Sequence, residues 1–181
     1  MYLLLFLGLL SGKPAHPVQV PDKSVRADKS RSTISYHMVH PLHEWTGTNR
    51  SVDGVLQLDG SSGKVRKVAM LVKVSGFDSK NSNRDSHMME VTEAINFPAV
   101  SFVSSAVDDK GDQLEVKGTL QFHGVSREVS FMTNKTQEKN LLRVRGGFDI
   151  LLDDFKLERP SLMMVEVDNK VNIAFDVFFP Q

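Results

Sequence analysis

The densest set of potential metal ligands in this 181-residue chain is His37, His40 and His43, spaced three apart, with Glu44 beside the third. Imidazole and carboxylate groups together suit zinc or copper, which makes a metal-dependent hydrolase or a metal carrier one reading of the chain. Strand geometry opposes it. Over residues 32–39 the apolar face would hold Ile34, Tyr36 and Met38, which turns His37 the other way. Pro41 is expected to end or bend that strand and to send His40 and His43 into different surroundings. His87 and His123 could complete a site only if folding gathered them, and His123 falls on a polar face. A second constellation, Asn83-Arg84-Asp85-Ser86-His87-Met88, collects an acid, a base and a histidine. A His–Asp pair does acid–base work when a third group orients it. No G-x-S-x-G nucleophile motif accompanies it. The structural alternative is that Arg84 and Asp85 tie this segment to the body by charge-assisted hydrogen bonds. The acid pairs Asp108-Asp109 and Asp153-Asp154 fall at expected turns, where Asp is favoured for its backbone hydrogen bonds. No catalytic residue, metal ligand or cofactor is assigned from these runs.

The elements that would position such groups follow a period of two. In Asp112 to His123, Leu114, Val116, Gly118, Leu120 and Phe122 share one face, and charged or polar residues fill the other. Val171, Ile173, Phe175 and Val177 repeat the pattern, as do Val144, Phe148, Ile150 and Leu152. Further strands are expected at 32–39, 52–59, 65–74, 100–107, 127–133 and 162–167, with turn chemistry between them. The fold class is therefore all-β, a sandwich or barrel. One short helix is expected in the irregular segment 78–98, around 84–91. Phe102, Phe122, Phe131, Phe148, Phe155, Phe175, Met70, Met88, Met163 and Met164 are expected to supply bulky, compliant apolar surface on the inner faces. They would line a ligand cavity or fill a closed core. The closed-core version would act through its surface by binding a partner.

Composition narrows the classes. Lys+Arg 22 against Asp+Glu 22 leaves no basic excess, so nucleic acid is not an expected partner. Cys 0 removes disulfides, thiolate metal sites and cysteine nucleophiles. At the N-terminus, the apolar run from Tyr2 to Leu10 is too short to span a bilayer and suits the core of a secretory signal peptide. Residues 1–12 are read as that signal, 13–30, with Pro14, Pro17 and Pro21, as a linker, and 31–181 as the domain.

The ordered set of segments resembles the YceI-like family. Ser32-Thr33-Ile34-Ser35-Tyr36 with His40 is similar to its opening strand, and Arg84-Asp85-x-His87-Met88 to its R-D-x-H-L/M segment. Phe97-Pro98-x-x-x-Phe102-x-Ser104 and Leu114-x-Val116-x-Gly118-x-Leu120-x-x-His123-Gly124-Val125 follow in the family's order. The chain departs from the pattern at His40–Gly47 and at Leu152–Pro160, regions expected to shape a barrel mouth. The resemblance implies an extended antiparallel, lipocalin-like β-barrel of about eight strands, exported to the periplasm or secreted. It also implies a non-enzymatic role, binding an isoprenoid quinone, a prenyl pyrophosphate or another long-chain lipid in an apolar tunnel. A homodimer is left open. The tunnel would be lined by Tyr36, Met70, Met88, Phe102, Leu114, Phe122, Phe131, Phe148, Phe155 and Phe175, with Arg84 and His87 at the mouth.

Overall fold

The computed structural model describes residues 20–162 and 164–181. The expected signal segment 1–12, the first part of the expected linker and Met163 lie outside the described residues. In chain order the elements are β1 (Lys23–Arg26), β2 (Thr33–His40), β3 (His43–Asn49), β4 (Asp53–Leu58), β5 (Val65–Lys73) and β6 (Phe77–Asp78). The helix α1 (Ser82–Val91) comes next, then β7 (Ala99–Asp109), β8 (Gln113–Phe122), β9 (Val125–Glu138) and β10 (Leu141–Leu151). The chain ends with β11 (Ser161–Leu162), β12 (Val165–Glu166) and β13 (Lys170–Pro180).

Eleven strands form one antiparallel sheet in the order β1-β4-β5-β7-β8-β9-β10-β13-β2-β3-β6, and β11 pairs with β12 as a separate hairpin. The sheet curls into a half-barrel around an apolar interior. Burial follows the alternation seen in the sequence: along β8, Leu114, Val116, Gly118 and Leu120 are buried, while Gln113, Lys117 and Gln121 are exposed. Polar bonds tie the sheet's two margins back onto it. Beyond β1, Ala27 N–H donates to the Gly54 carbonyl (2.8 Å) and Asp28 N–H to the Phe178 carbonyl on β13 (2.7 Å). At the other margin the fully buried Asn49 donates from Nδ2 to the Lys73 carbonyl (2.9 Å) and accepts from Ser51 N–H (2.8 Å). These bonds leave the margins less free to pair with another chain.

Turn chemistry sets the register. Phe122 pairs with Val125 across His123-Gly124, both with positive φ (49° and 71°), the left-handed pair that a tight two-residue hairpin requires. Bulges between Gln57 and Leu58 and between Ser104 and Ala106 add local twist. At the second, the Ser104 hydroxyl accepts the Val68 N–H (2.8 Å).

Several elements differ from expectation. Thirteen strands form where about eight were expected: β1 and β6 are too short to show a period, and β3 follows Pro41 where no strand was expected. The strand expected at 162–167 is the hairpin of β11 and β12, with Met164 exposed between them and not on an inner face. Lys23–Arg26, inside the stretch read as linker, pairs in full with β4. Pro41 does not part the two histidines. Pro41-Leu42 is a two-residue hairpin turn, and His40 pairs directly with His43. The proline's missing N–H falls in the turn, where no ladder bond is lost.

Away from the interior cavity, Asp109 and Lys135 form a nearly buried pair (side chains 2% and 15% exposed) with contacts of 2.6 Å. The Asp109 carboxylate also accepts from Val65 N–H (2.8 Å) and Gly111 N–H (3.0 Å). Burial pushes this carboxyl up, but the Lys135 ammonium and the two N–H groups outweigh it and hold it below the ordinary value of 3.8. A carboxyl depressed in the folded state adds stability above its unfolded pKa and loses it as pH falls through the folded value. Asp109→Ala should therefore cost about 2–4 kcal/mol at pH 7 and progressively less as pH falls below the ordinary value of 3.8. Denaturant midpoints of both proteins at pH 7 and below pH 3.8 measure this, and equal costs at both would contradict it.

Candidate functional site

The half-barrel encloses a cavity of about 670 Å³ lined almost throughout by apolar side chains. Its deep wall is an aromatic cluster. Phe131 stacks on Phe148 (centroids 4.7 Å apart, planes 11° apart) and meets Phe102 at 5.6 Å and Phe175 at 5.7 Å. Leu114, Val116, Val177 and Phe179, each at most 2% exposed, close the interior beyond it. Met70 and Phe102 pair across β5 and β7, so one compliant thioether lies beside one rigid ring.

Polar lining groups gather where α1, the β2–β3 turn and the 157–161 segment contribute, and Asn83, His87, His43 and Glu158 are exposed there. This end is the mouth. Helix α1 is started by Asn81, whose side chain accepts the Arg84 N–H (3.1 Å), satisfying one of the free first-turn donors. Ser79 anchors the same turn. Its N–H donates to the Asp85 carboxylate (3.1 Å) and its hydroxyl accepts from Arg84 Nε (3.1 Å). The Arg84 guanidinium lies 5.1 Å from the Trp45 ring centroid, a cation–π contact that holds α1 over the mouth. His87 is paired with Glu90 (3.6 Å), so the acid and the histidine of the Arg84–His87 run do not meet.

The three spaced histidines do not converge either. His37 points to the outer face, against Thr46 Oγ1 (3.1 Å) and Glu44 (3.5 Å). His40 is buried and has both ring nitrogens engaged: Nδ1 accepts from Leu42 N–H (3.2 Å), which assigns the proton to Nε2, facing the Val165 carbonyl (3.0 Å). His40 and His43 rings lie 5.3 Å apart, and His43 stacks on Trp45 at 5.2 Å. Among the described residues, no group of three His, Asp or Glu side chains is placed to hold a metal ion. The metal reading fails on this geometry.

Eleven of the twelve residues singled out in the sequence line the cavity: Tyr36, Met70, Met88, Phe102, Leu114, Phe122, Phe131, Phe148, Phe175, Arg84 and His87. Phe155 does not. The strand alternation stops at Leu152, and a 3-10 turn at Asp153–Phe155 carries the ring behind Phe122, 5.6 Å away and 1% exposed. Its carbonyl meets His123 Nδ1 (3.0 Å), whose Nε2 faces Glu93 (3.2 Å). The closed-core version of the barrel predicted no cavity, and the enclosed volume contradicts it. Trp45, His40 and His43 also line the mouth, within the His40–Gly47 stretch expected to shape it, although none was singled out as a lining residue. The one available signal was the alternation His43-x-Trp45-x-Gly47 resuming after Pro41.

The sequence profile of the YceI-like domain matches residues 26–179. The chain belongs to the YceI-like family. Among curated relatives, Protein YceI of Salmonella newport (strain SL254) is 27% identical over 100 residues, covering 54% of this chain and 52% of that protein. The match thus spans about half the length of that relative. Among solved structures, the fold is similar to BcnA of Burkholderia cenocepacia, with a TM-score of 0.75 and 19% identity over 84% of this chain and 98% of that one. A polyisoprenoid binding domain from Saccharophagus degradans, implicated in plant cell wall breakdown, superposes with a TM-score of 0.71. It is 15% identical, over 86% of this chain and 97% of that one. At these identities the likeness establishes the lipocalin-like YceI fold.

Phe155→Ala should cost about 3–5 kcal/mol by leaving a void behind the Phe122 wall. Equilibrium denaturation checks this, and a loss under about 1 kcal/mol would show that the ring does not support the wall.

Proposed function

We propose that this YceI-like protein binds and carries or stores a long-chain isoprenoid or similar lipid, without chemistry of its own. The observation that carries the reading is the cavity of about 670 Å³, whose depth is apolar apart from Thr133, with its hydroxyl taken up by the Arg145 carbonyl, and whose charged groups gather at the mouth. That size falls within the usual range of ligand pockets. A hydrocarbon chain suits such a lining because each buried CH₂ contributes about 0.8 kcal/mol, so one isoprene unit contributes roughly 2–4 kcal/mol. A few units offset the cost of ordering the chain with no hydrogen bond along its length. The solved polyisoprenoid binding domain of the same fold supports this ligand class. An isoprenoid quinone and a prenyl pyrophosphate are the two head-group classes considered. Arg84 and His87 stand where either would emerge.

The compartment we propose is the periplasm or the exterior. The apolar run from Tyr2 to Leu10 supports it, since a stretch of that length suits a secretory signal.

Solvent extraction of the purified, tag-cleaved protein followed by mass spectrometry should recover an isoprenoid in near-stoichiometric amount. Phe122→Asp and Phe148→Asp, each shown to be folded by circular dichroism, should bind the recovered lipid at least about tenfold more weakly, since each buries an unpaired carboxyl in the lining. Full affinity in both folded variants would overturn the assignment of the lining.

A further inference from the structure

Among the described residues, one buried side-chain polar atom has no hydrogen-bond partner: the hydroxyl of Tyr36. Folded proteins leave few such groups, because a buried donor loses its bonds to water and gains nothing in return. The Tyr36 side chain lines the cavity. Its orientation is imposed by its neighbours. Gly47 is its cross-strand partner, and a Cβ at Gly47 would lie 2.4 Å from Tyr36 Cε1 and 2.7 Å from its hydroxyl oxygen. The ring therefore lies flat on strand β3, in room that only glycine leaves. The Phe77 ring flanks it, with centroids 5.4 Å apart. The indole N–H of Trp45 lies close by, and as a donor it can reach only the hydroxyl oxygen, which leaves the Tyr36 O–H free to donate. Burial pushes the ionisation of Tyr36 above the ordinary tyrosine range, so the group is a neutral O–H donor at working pH.

We infer that Tyr36 determines head-group specificity in this cavity, its hydroxyl donating to a neutral oxygen acceptor of the carbonyl type carried near the head end of the bound lipid. The inference rests on the lipid-binding reading above and adds the class of head group. The charge distribution at the mouth selects a neutral acceptor over a pyrophosphate. Arg84 is the sole permanently charged cation in the described lining, and the carboxylate of Glu158 lines the same end. The Nε of Arg84 is already engaged by Ser79, and the guanidinium stacks on Trp45. A multiply charged pyrophosphate would find too few donors there and an opposing carboxylate. A quinone carbonyl needs one O–H, and Tyr36 supplies it.

The test compares three probes, a short-tailed ubiquinone, geranylgeranyl pyrophosphate and squalene, each measured by displacement of N-phenylnaphthylamine from the full chain and from Tyr36→Phe. The expected result is a loss of about fivefold to tenfold for the ubiquinone in the variant, the effect of one neutral hydrogen bond. Squalene affinity should not change. The thermal midpoint of Tyr36→Phe should equal or exceed that of the parent, because no protein hydrogen bond is removed. Equal losses for ubiquinone and squalene would overturn the inference by showing that only ring packing matters. An unchanged ubiquinone affinity, or a parent protein that prefers the pyrophosphate, would overturn it as well. Failure of the parent to bind any of the three probes would instead bring down the lipid-binding reading itself, and this inference with it.

Discussion

Phe131 on β9 touches Phe148 on the adjacent β10 and reaches past its neighbours to Phe102 on β7 and Phe175 on β13. Aromatic rings have few rotamers and prefer offset or tilted contacts, so such a cluster acts as a spacer as well as an adhesive. A single curled sheet has no second layer to bury its inward face. In most β-proteins that face packs against another sheet at about 10 Å. Here it packs partly on itself across the curl, and the stiffness of the Phe131 cluster keeps the walls from collapsing onto one another. The interior volume follows from that spacing, because side chains this bulky and this constrained meet at their edges and leave room between them.

Polarity is divided along the length of the cavity. The deep end is closed by Leu114, Val116, Val177 and Phe179, while the buried Asp109–Lys135 pair lies outside the lining. Charge inside the fold is thus kept away from the space a ligand would use. At the mouth the polar groups are largely committed to one another: Arg84 to Ser79 and Trp45, His40 to Leu42 and Val165, His87 to Glu90. Among the buried groups Tyr36 is the exception, because its orientation is set beside Gly47 and Phe77 and its hydroxyl meets no acceptor there.

Much of this was legible in the residue order. Alternation alone assigned the inward faces of β8, β10 and β13 correctly, because each strand is long enough to repeat the pattern. The strands missed are those whose identity comes from a partner: β1 exists by pairing with β4, β3 by pairing with β2 across the Pro41-Leu42 turn, and β6 by pairing two residues with β3. The Pro41-Leu42 hairpin lacks the Asn-Gly or Asp-Gly signature of a two-residue turn, so His40 and His43 were separated on paper and joined in space. Phe155 failed for the opposite reason. It follows a clear strand in sequence, but Lys156 adopts a left-handed conformation (φ 56°) and the chain leaves the sheet before the ring is placed. Helix α1 was placed by its irregular context, yet which of its side chains overhang the cavity depends on the Arg84–Trp45 contact, which no local pattern encodes.

The placement of Trp45 has an optical consequence. It is the sole tryptophan of the chain, and it lies in the cavity wall between His43 on one side and the Arg84 guanidinium nearby. All indole emission therefore originates at the mouth. Arrival of a quencher and exclusion of water each act on that one fluorophore. The unmodified protein thus carries an intrinsic gauge of what its entrance contains.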